Sequence, residues 1–194
     1  MKKKVLIALL CVAALVIGSV FGTMAYLTDS EAVTNTFTVG KVYIDLDEAP
    51  VGATGKEITG DRVKENEYHL IPGSSYDKDP TVTVLANSEN SWLFVKVENG
   101  ISAIEAAANT IASQIEANGW QELDGVDNVY YRKTTKSADA QKFVVFESFT
   151  IDGDSVDNAA IEEYANAEVK VTAYAIQAAG FTSASAAWTA GNWN

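Results

Sequence analysis

The chain is nearly without cysteine. Its 194 residues contain one, Cys11, and one histidine, His69. A disulfide-stapled secreted scaffold is therefore excluded. A zinc site, which takes three or four ligands drawn mainly from those two residue types, would have to be built almost wholly from carboxylates. Basic residues are also scarce, 14 against 26 acidic ones, for a net charge of −12. Nucleic acid, whose binding rests on lysine and arginine meeting phosphates, is not a partner such a chain suits. Anionic lipid is disfavoured for the same reason. No glycine-rich phosphate loop follows a strand-like run, no HExxH pair occurs and no serine sits in a nucleophile elbow. The sequence thus predicts no enzyme and no cofactor. The acidity reads as solubility at high local concentration.

What is present begins at the N-terminus. Lys2, Lys3 and Lys4 precede an uncharged apolar run from Val5 to Phe21, followed by small residues, which is the order of a secretory signal peptide. The run is also near the lower limit for spanning a bilayer, but its Ala and Gly content and the acidic, turn-rich sequence after it favour cleavage. The cut is predicted after Ala25, with Thr23 two residues before it, leaving Tyr26 as the first mature residue; Ala32 is a poorer site. Cys11 follows Leu10 rather than a small residue, so no lipid anchor is predicted. Removing residues 1–25 takes away three lysines and moves the net charge to −15. The mature chain, about 170 residues long, then has no cysteine and is long enough for one substantial core.

Past Thr34 the sequence alternates, with Phe37 and Val39 on one face and Thr36 and Thr38 on the other. Gly40 breaks the pattern. After it the apolar residues are Val42, Ile44 and Leu46, a change of parity that marks Gly40 as a bulge or a corner between sheets. Residues 49–66 show little periodicity and read as an exposed loop or weak hairpin. Strands are predicted over 81–86, 92–98, 129–133, 143–151 and 169–176, and a short run at 120–123. In the 169–176 stretch Val169, Val171, Ala173 and Ala175 alternate with Lys170, Thr172, Tyr174 and Ile176. An amphipathic helix is predicted over 102–117, capped by Ser102 and stopped at Asn118-Gly119. A second short helix is predicted over 157–166 and a weakly helical tail over 182–194, carrying Trp188 and Trp193. Together these give a mainly β fold, an antiparallel β-sandwich with one or two inserted α-helices, in one domain over 38–194.

Three features invite chemical readings. In "DGDSVDNAAIEE", Asp152, Asp154 and Glu163 take the first, third and twelfth places of a calcium loop, but Val156 and Asp157 stand where an oxygen ligand and the turn glycine belong. The expected alternative is a solvated turn with Asp157 capping a helix. His69, beside a Pro-Gly turn, reads as a surface or packing residue. Trp188 and Trp193 could stack on carbohydrate, although docking on the protein's own core is the commoner fate of tail aromatics.

The stretch "GTMAYLTDSEAVTNTFTVGKVYIDLDE" (22–48) resembles the start of the TasA and camelysin family, whose signal peptides are removed by a SipW-type signal peptidase. The likeness covers the signal, the "AYLTD" junction and "NTFTVGKVYIDL", and "VTAYAIQAAGF" (171–181) is similar to the closing strand of clostridial members. It implies a jelly-roll-like sandwich, secreted to the cell surface or extracellular matrix, that self-associates into biofilm-matrix fibres, with an anchoring or accessory matrix protein as a further partner. In such fibres the new N-terminus of one subunit completes the sheet of the next. Carried over to this chain, the donor arm is residues 26–37, with Tyr26, Leu27, Ala32, Val33 and Phe37 as apolar anchors, interrupted by Asp29, Ser30 and Glu31. Two rivals accompany it. One is a monomeric surface or matrix accessory whose arm folds back on itself; the other is the metalloprotease activity attached to the camelysin name, which His69 alone does not support.

Overall fold

The computed structural model describes residues 40–191 and 193. The fold is mainly β, in antiparallel sheets, with short helices. The first sheet joins β1 (Ile44–Asp47), β3 (Thr81–Val84) and β7 (Gln141–Val144) in the order β1-β3-β7. A two-stranded piece pairs β2 (Ser75–Asp77) with β8 (Ser148–Thr150). The larger sheet runs β5-β6-β4-β9, formed by β5 (Gln121–Glu122), β6 (Val129–Thr134), β4 (Ser91–Asn99) and β9 (Val169–Gln177). Among the described residues there are also two α-helices, α1 (Ile111–Ala117) and α2 (Ala184–Ala190), and 3-10 turns at Ala107–Asn109 and Ala160–Tyr164.

The main core lies between the inward faces of the two larger sheets. Ile44, Leu46, Val82, Val84 and Phe143 from the first meet Leu93, Val95, Val97, Tyr130 and the inward residues of β9 from the second. Period-two alternation puts those residues on one face and Asp45, Thr83 and Lys142 on the other. The segment β4 is buried along most of its length because its second face is covered too. Trp92 and Phe94 point outward into a separate cluster with Leu123, Val129, Ala184, Ala187 and Trp188, where α2 lies over the sheet. The tail tryptophans therefore pack on the protein itself. Trp188 sits 5.2 Å from the Phe94 ring and 5.7 Å from Tyr174.

Several sequence expectations are corrected. The helix predicted from Ser102 starts at Ile111 with Thr110 as its cap. The cause is Glu105, which pairs with Ile151 in a β-bridge, while Ala106 N–H bonds the Thr150 carbonyl; the chain there extends the β2/β8 piece. The Glu105 carboxylate then accepts from Ile111 N–H and Asn99 Nδ2. The predicted stop stands: Gly119 adopts φ +81° just after the helix, the left-handed position that favours glycine. The strand predicted over 143–151 is two strands, β7 and β8, in different sheets. The helix predicted over 157–166 is a 3-10 turn over 160–164.

Residues 49–66 form a loose hairpin, bridged at Glu48–Val63 and Val51–Glu57. Charges hold it. Arg62 pairs with Asp47 and, at 2.8 Å, with Asp79, and also donates to the backbone carbonyls of both. Burial opposes the Arg62 charge, but the two aspartates outweigh it and raise its pKa. Beneath lies a nearly buried ion pair, Lys78 Nζ to Glu48 at 2.6 Å, whose carboxylate also accepts from Asn66. Burial and the surrounding carboxylates of Glu48, Asp79 and Asp77 push the nearby Tyr68 hydroxyl up.

Candidate functional site

A sheet edge becomes a binding site when its N–H and C=O groups lack partners. On β7, the Val144 carbonyl accepts from the Trp120 indole. The β2/β8 piece is flanked on one side by Gly55, whose carbonyl takes Asp77 N–H, and on the other by 105–106. The edge strand β5 is two residues long.

On β1, Tyr43 O accepts from Leu85 N, so antiparallel alternation turns the backbone of Asp45 and Asp47 toward β3 and that of Ile44, Leu46 and Glu48 outward. That outward side is covered at Leu46 and Glu48, while among the described residues the Ile44 N–H and C=O have no partner. Glu48 exchanges two backbone bonds with Val63, the Leu46 carbonyl accepts from Lys64 Nζ at 2.8 Å, and its N–H bonds the Asp45 carboxylate. Lys64 in turn draws the Asp45 carboxyl below its ordinary range. Charged side chains on an edge are a recognised way of closing it.

The contrast is β9. It pairs with β4 over all nine residues. The bonds Gly100 N–Glu168 O and Ala178 N–Asn90 O bracket the strand and fix its phase: the even residues face β4, and Val169, Val171, Ala173, Ala175 and Gln177 turn their N–H and C=O to the free side. Among the described residues, none of those groups has a hydrogen-bond partner. The same residues, Val169 to Ala175, carry the inward side chains, and all four remain half-buried, whereas Leu93 and Val95 on the neighbouring strand are fully buried at 0% exposure. Across the core, β1 runs close to β9, and its Ile44 and Leu46 are half-buried as well. Among the described residues, the seam between these two strands is thus a place where the interior is incompletely closed. It offers a row of backbone groups about 30 Å long, floored by small and β-branched side chains.

Gly40 marks one end of the seam. It lies outside any strand, and a β-carbon on it would meet Glu89 Cγ at 2.7 Å and Gln177 Nε2 at 3.2 Å. A larger residue there would have to push those two flexible side chains aside. The change of sheet expected at Gly40 involves residues before it, which lie outside the described part. Outside it too are the predicted cleavage residues Ala25 and Tyr26 and the donor residues Leu27, Ala32, Val33 and Phe37.

The other candidates find ordinary roles. His69 is exposed, and its carbonyl accepts from the Tyr76 hydroxyl. Asp152 accepts from Ser155 Oγ and Asp154 N–H, which lowers its pKa. Asp157 caps the turn after it by accepting from Ala159 and Ala160 N–H, and Val156 is buried in the core. Among the described residues no three His, Cys, Asp or Glu side chains are grouped to hold a metal ion, and no helix is long and apolar enough to cross a membrane. No family model, curated protein or solved structure matches the chain.

Proposed function

We propose that this chain is a secreted structural protein with a jelly-roll-like body that polymerises head to tail. After a SipW-type peptidase frees Tyr26, residues 26–37 of one copy add as a strand to β9 of another, building extracellular fibres of the biofilm-matrix kind. The observation that carries this reading is the β9 edge, whose outward backbone groups belong to the same residues as its half-buried inward side chains. A strand added there satisfies the hydrogen bonds and closes the core together. A twelve-residue arm, about 40 Å when extended, spans the whole edge. The arm's Val33 and Phe37 share a parity and would lie over Ala173, Ala175 and the valines. The likeness of residues 22–48 to the TasA and camelysin family supports the same reading from the sequence side.

Head-to-tail contacts whose rotation does not close give open filaments. The test compares mature protein beginning at Tyr26 with a version beginning at Gly40, both viewed by negative-stain electron microscopy. Filaments from the first and none from the second are expected. Indistinguishable monomers from both would instead identify a solitary surface or matrix accessory protein.

A further inference from the structure

Resting on that reading, we infer that the donated arm lies antiparallel to β9, so that donor and acceptor bodies sit at opposite ends of the strand and only exchange between two copies produces this pairing. The inference comes from where the arm is rooted. Gly40 lies against the side-chain amide of Gln177, the last residue of β9, and the neighbouring Lys41 carbonyl accepts from Glu89 N–H, just before Ser91, which pairs with Gln177. Each body therefore releases its own arm at the Gln177 end. The Val169 end, where Asn99 and Gly100 meet Val169 and Glu168, lies about 30 Å away.

Two orientations are open to an incoming arm. Run parallel to β9, its Phe37 would arrive at Gln177 and bring the donor's body to the place where the acceptor's own arm departs. Two bodies and two arm roots would then compete for one end. Run antiparallel, Phe37 arrives at Val169, the donor body sits beyond that end, and the acceptor's arm leaves freely from the other. Successive copies then repeat along one line.

The same geometry separates exchange from self-docking. For an arm to lie antiparallel on its own β9, Phe37 beside Val169 would have to connect to Gly40 beside Gln177. Three residues reach about 10 Å, a third of the distance. An arm that folds back on its own body must run parallel. Orientation thus reports on which molecule supplies the strand.

The absence of cysteine from the chain after residue 25 makes the test direct. Thr34, Thr36 and Thr38 share the arm face opposite Phe37. Each is changed to cysteine in turn, together with either Lys170→Cys, exposed at the Val169 end of β9, or Ala178→Cys, which follows Gln177 and is half-buried against the outer cluster. Assembled protein is oxidised and run on non-reducing gels, with electron microscopy on the same samples. The expected result is a ladder of covalent multimers with Lys170→Cys for at least one arm position, collapsing on reduction, and no ladder with Ala178→Cys. Filaments that ladder only through Ala178→Cys, or through neither, overturn the antiparallel docking while leaving polymerisation intact. Internally cross-linked monomers with Ala178→Cys and no filaments identify self-docking, and the proposed function itself then fails.

Discussion

Replacing Ala173 with proline tests the β9 edge at its centre. The Ala173 N–H faces the free side, so within the body the substitution removes no ladder bond, and edge strands accept proline in that position. For an incoming strand the consequences are larger. One donor is lost, the opposing carbonyl is left unpaired, and the ring pushes the new strand away from the flanking groups of Val171 and Ala175. Three hydrogen bonds at about 1 kcal/mol net apiece amount to about 3 kcal/mol, on the order of a 100-fold weaker junction. In a filament built from one kind of junction the critical concentration follows the junction's dissociation constant, so it should rise by the same factor in a pelleting assay. The companion change Thr172→Pro removes an N–H that faces β4, so it breaks a ladder bond within the fold itself, visible as a depressed Tm. If folded Ala173→Pro protein pellets at the wild-type critical concentration, the edge is not where subunits join.

Three other outcomes follow from the body's packing. Lys78→Ala strands the Glu48 carboxylate, 4% exposed, and should cost about 3 kcal/mol in urea unfolding, whereas the neutral pair Glu48→Gln with Lys78→Met should recover most of it. Trp188→Ala opens the cluster over Phe94 and Tyr174 and should lower stability by about 3 kcal/mol, with filament formation retained wherever the protein is folded. Burial pushes the Asp77 carboxyl up, but the Glu57 N–H and Lys56 outweigh it and leave its pKa below the ordinary value. Such a group stabilises the fold above its unfolded pKa, about 4, and loses that contribution as pH falls through the folded value. Thermal melts of wild type against Asp77→Asn should therefore converge as the pH drops below about 4, and a gap that widens instead would contradict the assignment.

Much of the body was legible in the sequence because it rests on local alternation. Val169 to Ile176 shows its two faces outright, and Asn118-Gly119 ends a helix by its own chemistry. What stayed hidden depends on distant partners. Ser75–Asp77 is too short to signal a strand until Thr150 and Phe149 stand beside it. The apolar spacing from Ile104 reads as helix, yet Glu105 is claimed by Ile151 from far along the chain. The ion network that pins residues 49–66 joins Asp47, Arg62 and Asp79, whose pairing no periodicity records. For the candidate site, alternation showed which β9 residues point inward, but not that β9 would be an edge. That follows only from the strand order.

The cover that Lys64 and Val63 lay over β1 has a consequence for the material as a whole. In the head-to-tail assembly proposed above, that occupied flank leaves β9 as the docking edge, and one docking edge with one arm per unit is the valence of a linear polymer. Left bare, β1 would have been a second receptor, and growth could have branched or spread sideways into plaques. On that proposal, a lysine and a short hairpin bias the product toward threads.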